Sequence, residues 1–211
     1  MARALWRATV FTHRYLGVVL GLLMLVWFGS GIVMMYVGYP ELSREDRLRV
    51  LSPIPWQACC SLAAQHFDED QPIRALELET IAGEPVAFIR PDGQPPRLAS
   101  LAPTGPSLDL DEGRARSVAI AAAERIVTGE ASGAVLDMVD TDQWTLGEEY
   151  AQHRPLYRYA FDDPGGTTIY VSSATGQVML FTTASQRFWN WLGAIPHWLY
   201  PAILRSNGRL W

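Results

Sequence analysis

Four histidines, two adjacent cysteines and a pair of spaced glycines are the residues of this chain whose types and spacing could do chemistry. Histidine can offer a neutral imidazole nitrogen to a metal or exchange a proton near neutral pH. His13 stands just before a long uncharged apolar run, and His197 lies in the tryptophan-rich stretch RFWNWLGAIPHWLYP. His66 and His153 fall at a helix end and in a polar insertion, where solvated surface positions are expected. Cys59-Cys60 lacks C-x-x-C spacing, and neighbouring cysteines bond to each other only with strain, so both are expected as small core residues, a bond to another chain being the alternative. Gly17 and Gly21 form G-x-x-x-G, which lets apolar helices approach closely. The turn DDPGG at 162–166 lacks calcium-loop spacing and reads as a hairpin turn. The sequence contains no G-x-S-x-G, no H-E-x-x-H and no phosphate-binding loop, so hydrolase and nucleotide-dependent chemistry have no residue support.

The elements that must position these residues begin with the apolar run. Leu16 to Val37 carries no charge, and 22 residues of helix span roughly 33 Å, enough for a hydrocarbon core of about 30 Å. The run is too long for a cleaved signal peptide and no small-x-small site follows it, so an uncleaved anchor is expected. Trp6, Phe11 and Tyr15 on one margin and Tyr36 and Tyr39 on the other match an interfacial aromatic belt. The short basic tail, with Arg3, Arg7 and Arg14, places the N-terminus in the cytoplasm and residues 39–186 in the periplasm or outside.

Charge divides along the same lines. The net charge is −5, yet all 22 acidic residues lie between Glu41 and Asp163 together with 11 of the 17 arginines, a net −11. Each flank carries three arginines and no acid, and lysine is absent. No basic stripe exists to displace counterions from phosphates, which excludes nucleic acid as a partner.

The acidic middle contains a duplication. Trp56, Cys59, Cys60, Ala63 and Phe67 mark one helix face, and Ala115, Val118, Ala119, Ala122 and Ile126 repeat that template 59 residues later. Asp109 and Glu112 have capping-box spacing before the second helix. Leu76 and Leu78 alternate with Glu77 and Glu79, and Leu136 and Met138 recur beside Asp137 and Asp140. The runs VAFIRPDG and YRYAFDDPGG, then RLASLAPTG and TIYVSSATG, complete two antiparallel meanders, with TDQWTLGEEYAQHRP inserted in the second.

The helix, the strands and the closing turn IYVSSATGQV resemble PepSY domains. Two of them after a first membrane helix containing HRYLGVVLGLL resemble, in order, the PepSY-associated transmembrane family of bacterial inner-membrane proteins. The segment RFWNWLGAIPHWLYP is similar to the stretch that leads that family back into the membrane, and the resemblance covers nearly the whole chain. It implies an α+β fold: one N-terminal transmembrane helix (15–38) after a cytoplasmic tail (1–14), a linker (39–54), PepSY-like units at 55–108 and 109–183, and a Trp-rich interfacial helix at 184–211. Family members continue through further membrane helices, so the chain is expected to be an N-terminal portion or a subunit needing partners, with Gly17 and Gly21 facing other helices in the lipid bilayer.

Some members of the family are haem-containing ferric-siderophore reductases. The resemblance therefore implies a haem-b membrane redox system in iron acquisition, a ferric siderophore as the external partner, and His13 and His197 as candidate axial ligands of haem iron. About 24 helical residues separate His13 from the outer margin, roughly 36 Å, so the two histidines cannot share one haem, and each would need a second ligand from outside this chain. Two other roles stay open: an interfacial anchor beside Arg14 for His13, and a hydrogen-bonded interfacial residue for His197. The competing function is a non-enzymatic, membrane-anchored periplasmic binding or regulatory module, since PepSY domains elsewhere are associated with restraining peptidases. Whether the chain is part of an enzyme is left open by its residues.

Overall fold

A computed structural model describes residues 2–57, 59–60, 71–94, 97–101, 110–127 and 132–205. The chain divides into two compact units: Met1–Pro40 with Ser185–Trp211, and Glu41–Ala184.

The unit built from the two ends is helical. Helix α1 runs Ala2–Met34, 33 residues or about 50 Å. Among the described residues it is the one helix long and apolar enough to cross a membrane. Its apolar side chains are largely uncovered by protein, Leu16, Val18, Leu22, Leu25 and Phe28 included, as a lipid-facing helix requires. Among the described residues the expected single C-terminal helix is instead three short ones, numbered after the two helices of the middle unit described below: α4 (Ala184–Leu192), α5 (Ala194–His197) and α6 (Ala202–Arg205). Gly193 breaks the first pair, and Pro201, which has no N–H to donate, stands immediately before the last. A side chain at Gly193 would place its Cβ 3.0 Å from Val33 Cγ1, so the missing side chain is what admits α5 to the surface of α1. Asn190 Nδ2 donates to the Gly38 carbonyl at 3.0 Å, just beyond the C-terminal end of α1. Asn190, Gly193 and His197 thus meet progressively earlier residues of the N-terminal segment, and the returning chain runs antiparallel to α1.

The middle unit is α+β. Strands β1 (Ile73–Ile81), β2 (Glu84–Pro91) and β3 (Arg97–Ser100) form one antiparallel meander. Strands β4 (Ser132–Val139), β5 (Leu156–Asp162), β6 (Thr168–Ser172) and β7 (Val178–Thr182) form a second. Helix α2 covers Arg44–Val50 and α3 covers Glu112–Ile126. The N-cap of α3 is Asp111, whose carboxylate accepts from Arg114 N at 2.8 Å; it is not Asp109, which lies outside the described residues.

The apolar face expected of α3 is the one buried. Ala115, Ala119 and Ala122 pack with Tyr157, Tyr159, Phe161, Ile169 and Val171 of the second sheet, and Val118 also reaches Ile81, Val86 and Phe88 of the first. Small residues along α3 let both sheets approach it. Tyr159 ties the helix start to β5 by donating to the Glu112 carbonyl at 3.0 Å, and burial, with nearby Glu112, pushes its hydroxyl up to about 12.

Three sequence expectations need correction here. Residues 55–57 and 59–60 are not helical, while Ala63, His66 and Phe67 of the expected first helix lie outside the described residues. Cys59 and Cys60 are bonded to each other instead of being free core thiols, and Cys59 packs on Ala87, Ile89, Ala99 and Leu101. His153 is buried at 8% exposure, not solvated, and its Nδ1 lies 3.1 Å from Ser172 Oγ. Burial pushes its imidazole below the usual value, with the positive charges of Arg47 and Arg90 acting in the same direction.

The DDPGG stretch closes the β5–β6 hairpin as expected: Asp163 accepts from Gly165 N, Thr167 N and the Thr167 hydroxyl, which commits both oxygens to the turn.

Candidate functional site

His197 does not lie at the margin of the apolar run but inside it, against α1. Its ring stacks on Trp27 with centroids 4.9 Å apart and planes 13° apart. Its Nδ1 is 3.0 Å from the Trp27 carbonyl and 3.2 Å from Ser30 Oγ. A carbonyl can only accept, so Nδ1 carries the proton. Ser30 is 3% exposed and donates to the same Trp27 carbonyl at 2.9 Å. A Cβ at Gly31 would sit 3.1 Å from His197 Cε1, so glycine there opens the niche that the imidazole fills.

With Nδ1 protonated and held, Nε2 is the nitrogen with a lone pair. It has no hydrogen-bond partner among the described residues. That division of roles, one nitrogen fixed by a backbone carbonyl and the other bare, is how proteins orient a metal-ligating histidine. Nε2 is thus the ring nitrogen left to meet a ligand. No group of three or more His, Cys, Asp or Glu able to hold a metal ion occurs among the described residues.

His13 is exposed on the same helix. Gly31 follows it by 18 residues, about five turns at 3.6 residues each, so His13 and the His197 niche lie on one side of α1. They are roughly 27 Å apart along the axis. Gly17, one turn beyond His13, and Gly21 have nothing within 4 Å of where a Cβ would be, which leaves that side open. The structure thus aligns the two candidate histidines on one face without bringing them together. Sequence reasoning missed Trp27, Ser30 and Asn190. Ser30 carried a signal, being the lone serine or threonine in the uncharged run, where a polar side chain needs a partner.

The middle unit holds a second unusual group. Glu79 on β1 is 6% exposed. Gln177 Nε2 donates to its Oε1 at 2.8 Å, Arg47 Nη1 lies 3.5 Å from the same oxygen, and Oε2 is buried with no hydrogen-bond partner. Burial raises the Glu79 carboxyl above the usual carboxylate value, with Glu77 adding to the rise; the Gln177 hydrogen bond, Arg47 and Arg90 oppose it. A carboxyl raised on folding favours the folded state below its unfolded value, and that stability is lost as pH rises through the folded value. Glu79→Gln keeps an acceptor for Gln177 and removes the buried charge. The variant is expected to melt above wild type at pH 8, with the gap closing as pH falls toward the ordinary carboxylate range. Thermal unfolding of both proteins across that range checks it, and a lower melting temperature for the variant at pH 8 would contradict it.

No protein-family model, no curated protein and no solved structure matches this chain.

Proposed function

We propose that the chain is a membrane-anchored component of a haem-b electron-transfer system that reduces ferric complexes on the outer side of a bacterial inner membrane. The observation that carries this reading is the His197 niche: an imidazole within an apolar span, its Nδ1 proton fixed on the Trp27 carbonyl, its Nε2 left bare. A haem bound there would supply one-electron transfer, the one electron that each ferric ion needs to become ferrous. Trp27 and Ser30 would orient the ligand, and Gly31 would make room for it. His13 would serve a second haem nearer the basic N-terminal tail, on the same side of α1. Each haem would take its other ligand from a neighbouring helix along the open Gly17–Gly21 face. In this arrangement α1 spans the bilayer with its N-terminus in the cytoplasm, and the acidic middle unit, read as two PepSY-like domains, lies outside.

Dithionite-reduced minus oxidised spectra of membranes containing the protein test the reading. A b-type signal is expected, with His197→Ala removing about half of it and His13→Ala the remainder, as two separate single-haem sites require. Spectra unchanged in both variants would refute the ligand assignment. Absence of any haem signal in the wild type would refute the redox function and leave the binding-module reading in its place.

A further inference from the structure

The first turns of α1 carry the three arginines of the N-terminal flank on one stripe. Arg3, Arg7 and Arg14 are spaced by four and seven residues, which puts them within about 40° of one another around the helix. Phe11 and Tyr15 lie along one side of the stripe, their rings 4.3 Å apart, and Trp6 lies along the other. Between them is a recess of about 300 Å³ lined by Trp6, Arg7, Val10, Phe11, Arg14 and Tyr15.

This charge has no counterpart nearby in the chain. No Asp or Glu precedes Glu41, and among the described residues none of the three arginines makes an ion pair. Like charges four residues apart repel on a helix, so Arg3 and Arg7 weaken the turn they stand on. An anion bound beside them removes that cost, and a guanidinium offers paired N–H donors that match a phosphate.

Position decides which anion. Arg14 stands two residues before Leu16, where the uncharged run begins, and so falls where headgroups meet hydrocarbon. Arg7 is about 10 Å further out along the axis, within a Debye length of the charged surface. Trp6 and Tyr15, each more than half exposed, are ring types that settle at this level. Val18 and Leu22, also exposed, continue the Phe11 side of the stripe into the uncharged run and offer apolar surface to acyl chains. A free anion would leave that surface unused, and a zwitterionic headgroup would bring its own ammonium beside the arginines.

We propose that the recess holds the headgroup of an anionic glycerophospholipid. Its phosphate lies on Arg14, its outer side faces Arg7, and its acyl chains run along Val18 and Leu22. The site requires α1 to span the bilayer, as proposed above, and haem plays no part in it.

The full chain reconstituted in nanodiscs of equal parts phosphatidylglycerol and phosphatidylcholine tests the proposal, by native mass spectrometry of the lipids retained when the disc is opened. Phosphatidylglycerol is expected to be retained about tenfold over phosphatidylcholine, and Arg7→Gln and Arg14→Gln should each lower that ratio about fivefold. Glutamine keeps the helix propensity of arginine, so both variants should insert as wild type does. Arg116→Gln, which removes the same charge from the exposed face of α3, should leave the ratio unchanged. Inorganic phosphate added during reconstitution should also leave it unchanged, and loss of the enrichment there would assign the recess to a free anion and overturn the lipid. Equal retention of the two lipids, or enrichment that survives the Arg7→Gln/Arg14→Gln double variant, would overturn the proposal alone. A chain that carries neither lipid out of the disc would overturn the membrane span together with it.

Discussion

Asp142→Ala is expected to destabilise the middle unit by about 2 kcal/mol, the cost of removing a partly buried carboxylate that several hydrogen-bond donors address. One carboxylate organises the inserted segment. Its Oδ1 accepts from Trp144 N at 2.9 Å, Thr145 N at 3.2 Å and the Thr145 hydroxyl at 2.9 Å. Its Oδ2 accepts from Tyr170 Oη at 2.7 Å and Arg158 Nη1 at 3.4 Å. Arg158 and Tyr170 are directly paired across β5 and β6, on the face opposite the one that α3 covers. Asp142 therefore fastens the 141–155 insertion over that face, and Arg154 adds a clasp by donating to the Thr145 and Gly147 carbonyls. Alanine would remove the carboxylate that accepts from Tyr170 Oη and Trp144 N, and would leave Thr145 N only its longer bond to the residue-142 carbonyl at 3.4 Å. Hydrogen exchange on the full chain should show the Trp144 and Thr145 amides losing protection first, and denaturant unfolding should show the stability loss. Asp142→Asn, which retains Oδ1 as an acceptor but not the charge, should lose about half as much. A loss below about 1 kcal/mol for alanine would mean that the insertion is fastened elsewhere.

Nothing local marks Asp142 for this role. It is one of 22 acidic residues, and its partners on β5 and β6 are 16 and 28 positions away. The α3 face was legible because a helical period is written within one stretch of sequence, and the two meanders were legible because each apolar run ends in a turn cluster. Beyond that the sequence misled in an instructive way. The alternation Leu76-Glu77-Leu78-Glu79 identifies a strand, and period two says which residues share a face. The usual inference buries the leucines. Here Leu76 is 48% and Leu78 38% exposed, while Glu79 is buried on the side shared with Val86 and Phe88, where α3 packs. Which face is covered depends on the partner layer, and the strand itself carries no record of it. His197 makes the same point in the helical unit. Its place beside a membrane segment was readable, but its depth is set by Trp27 and Ser30, 170 and 167 positions earlier.

Gly176→Ala should cost about 3 kcal/mol, against about 1 kcal/mol for Gly83→Ala, and the contrast isolates packing from backbone strain. Both glycines have positive φ, +70° at Gly176 and +84° at Gly83, so any side chain meets a similar backbone penalty at either. They differ in surroundings. A Cβ at Gly83 would have nothing within 4 Å, whereas one at Gly176 would fall 2.7 Å from Ile81 Cγ2 and 2.8 Å from Leu110 Cδ2. The β6–β7 turn is thus pressed onto the end of β1 and the segment entering α3, and overpacking there adds its own cost. The next residue, Gln177, donates to Glu79, so a turn pushed away from Ile81 also withdraws that hydrogen bond. Denaturant unfolding of the two variants should show the difference in stability. Equal costs at the two positions would mean that the turn yields freely to the added side chain.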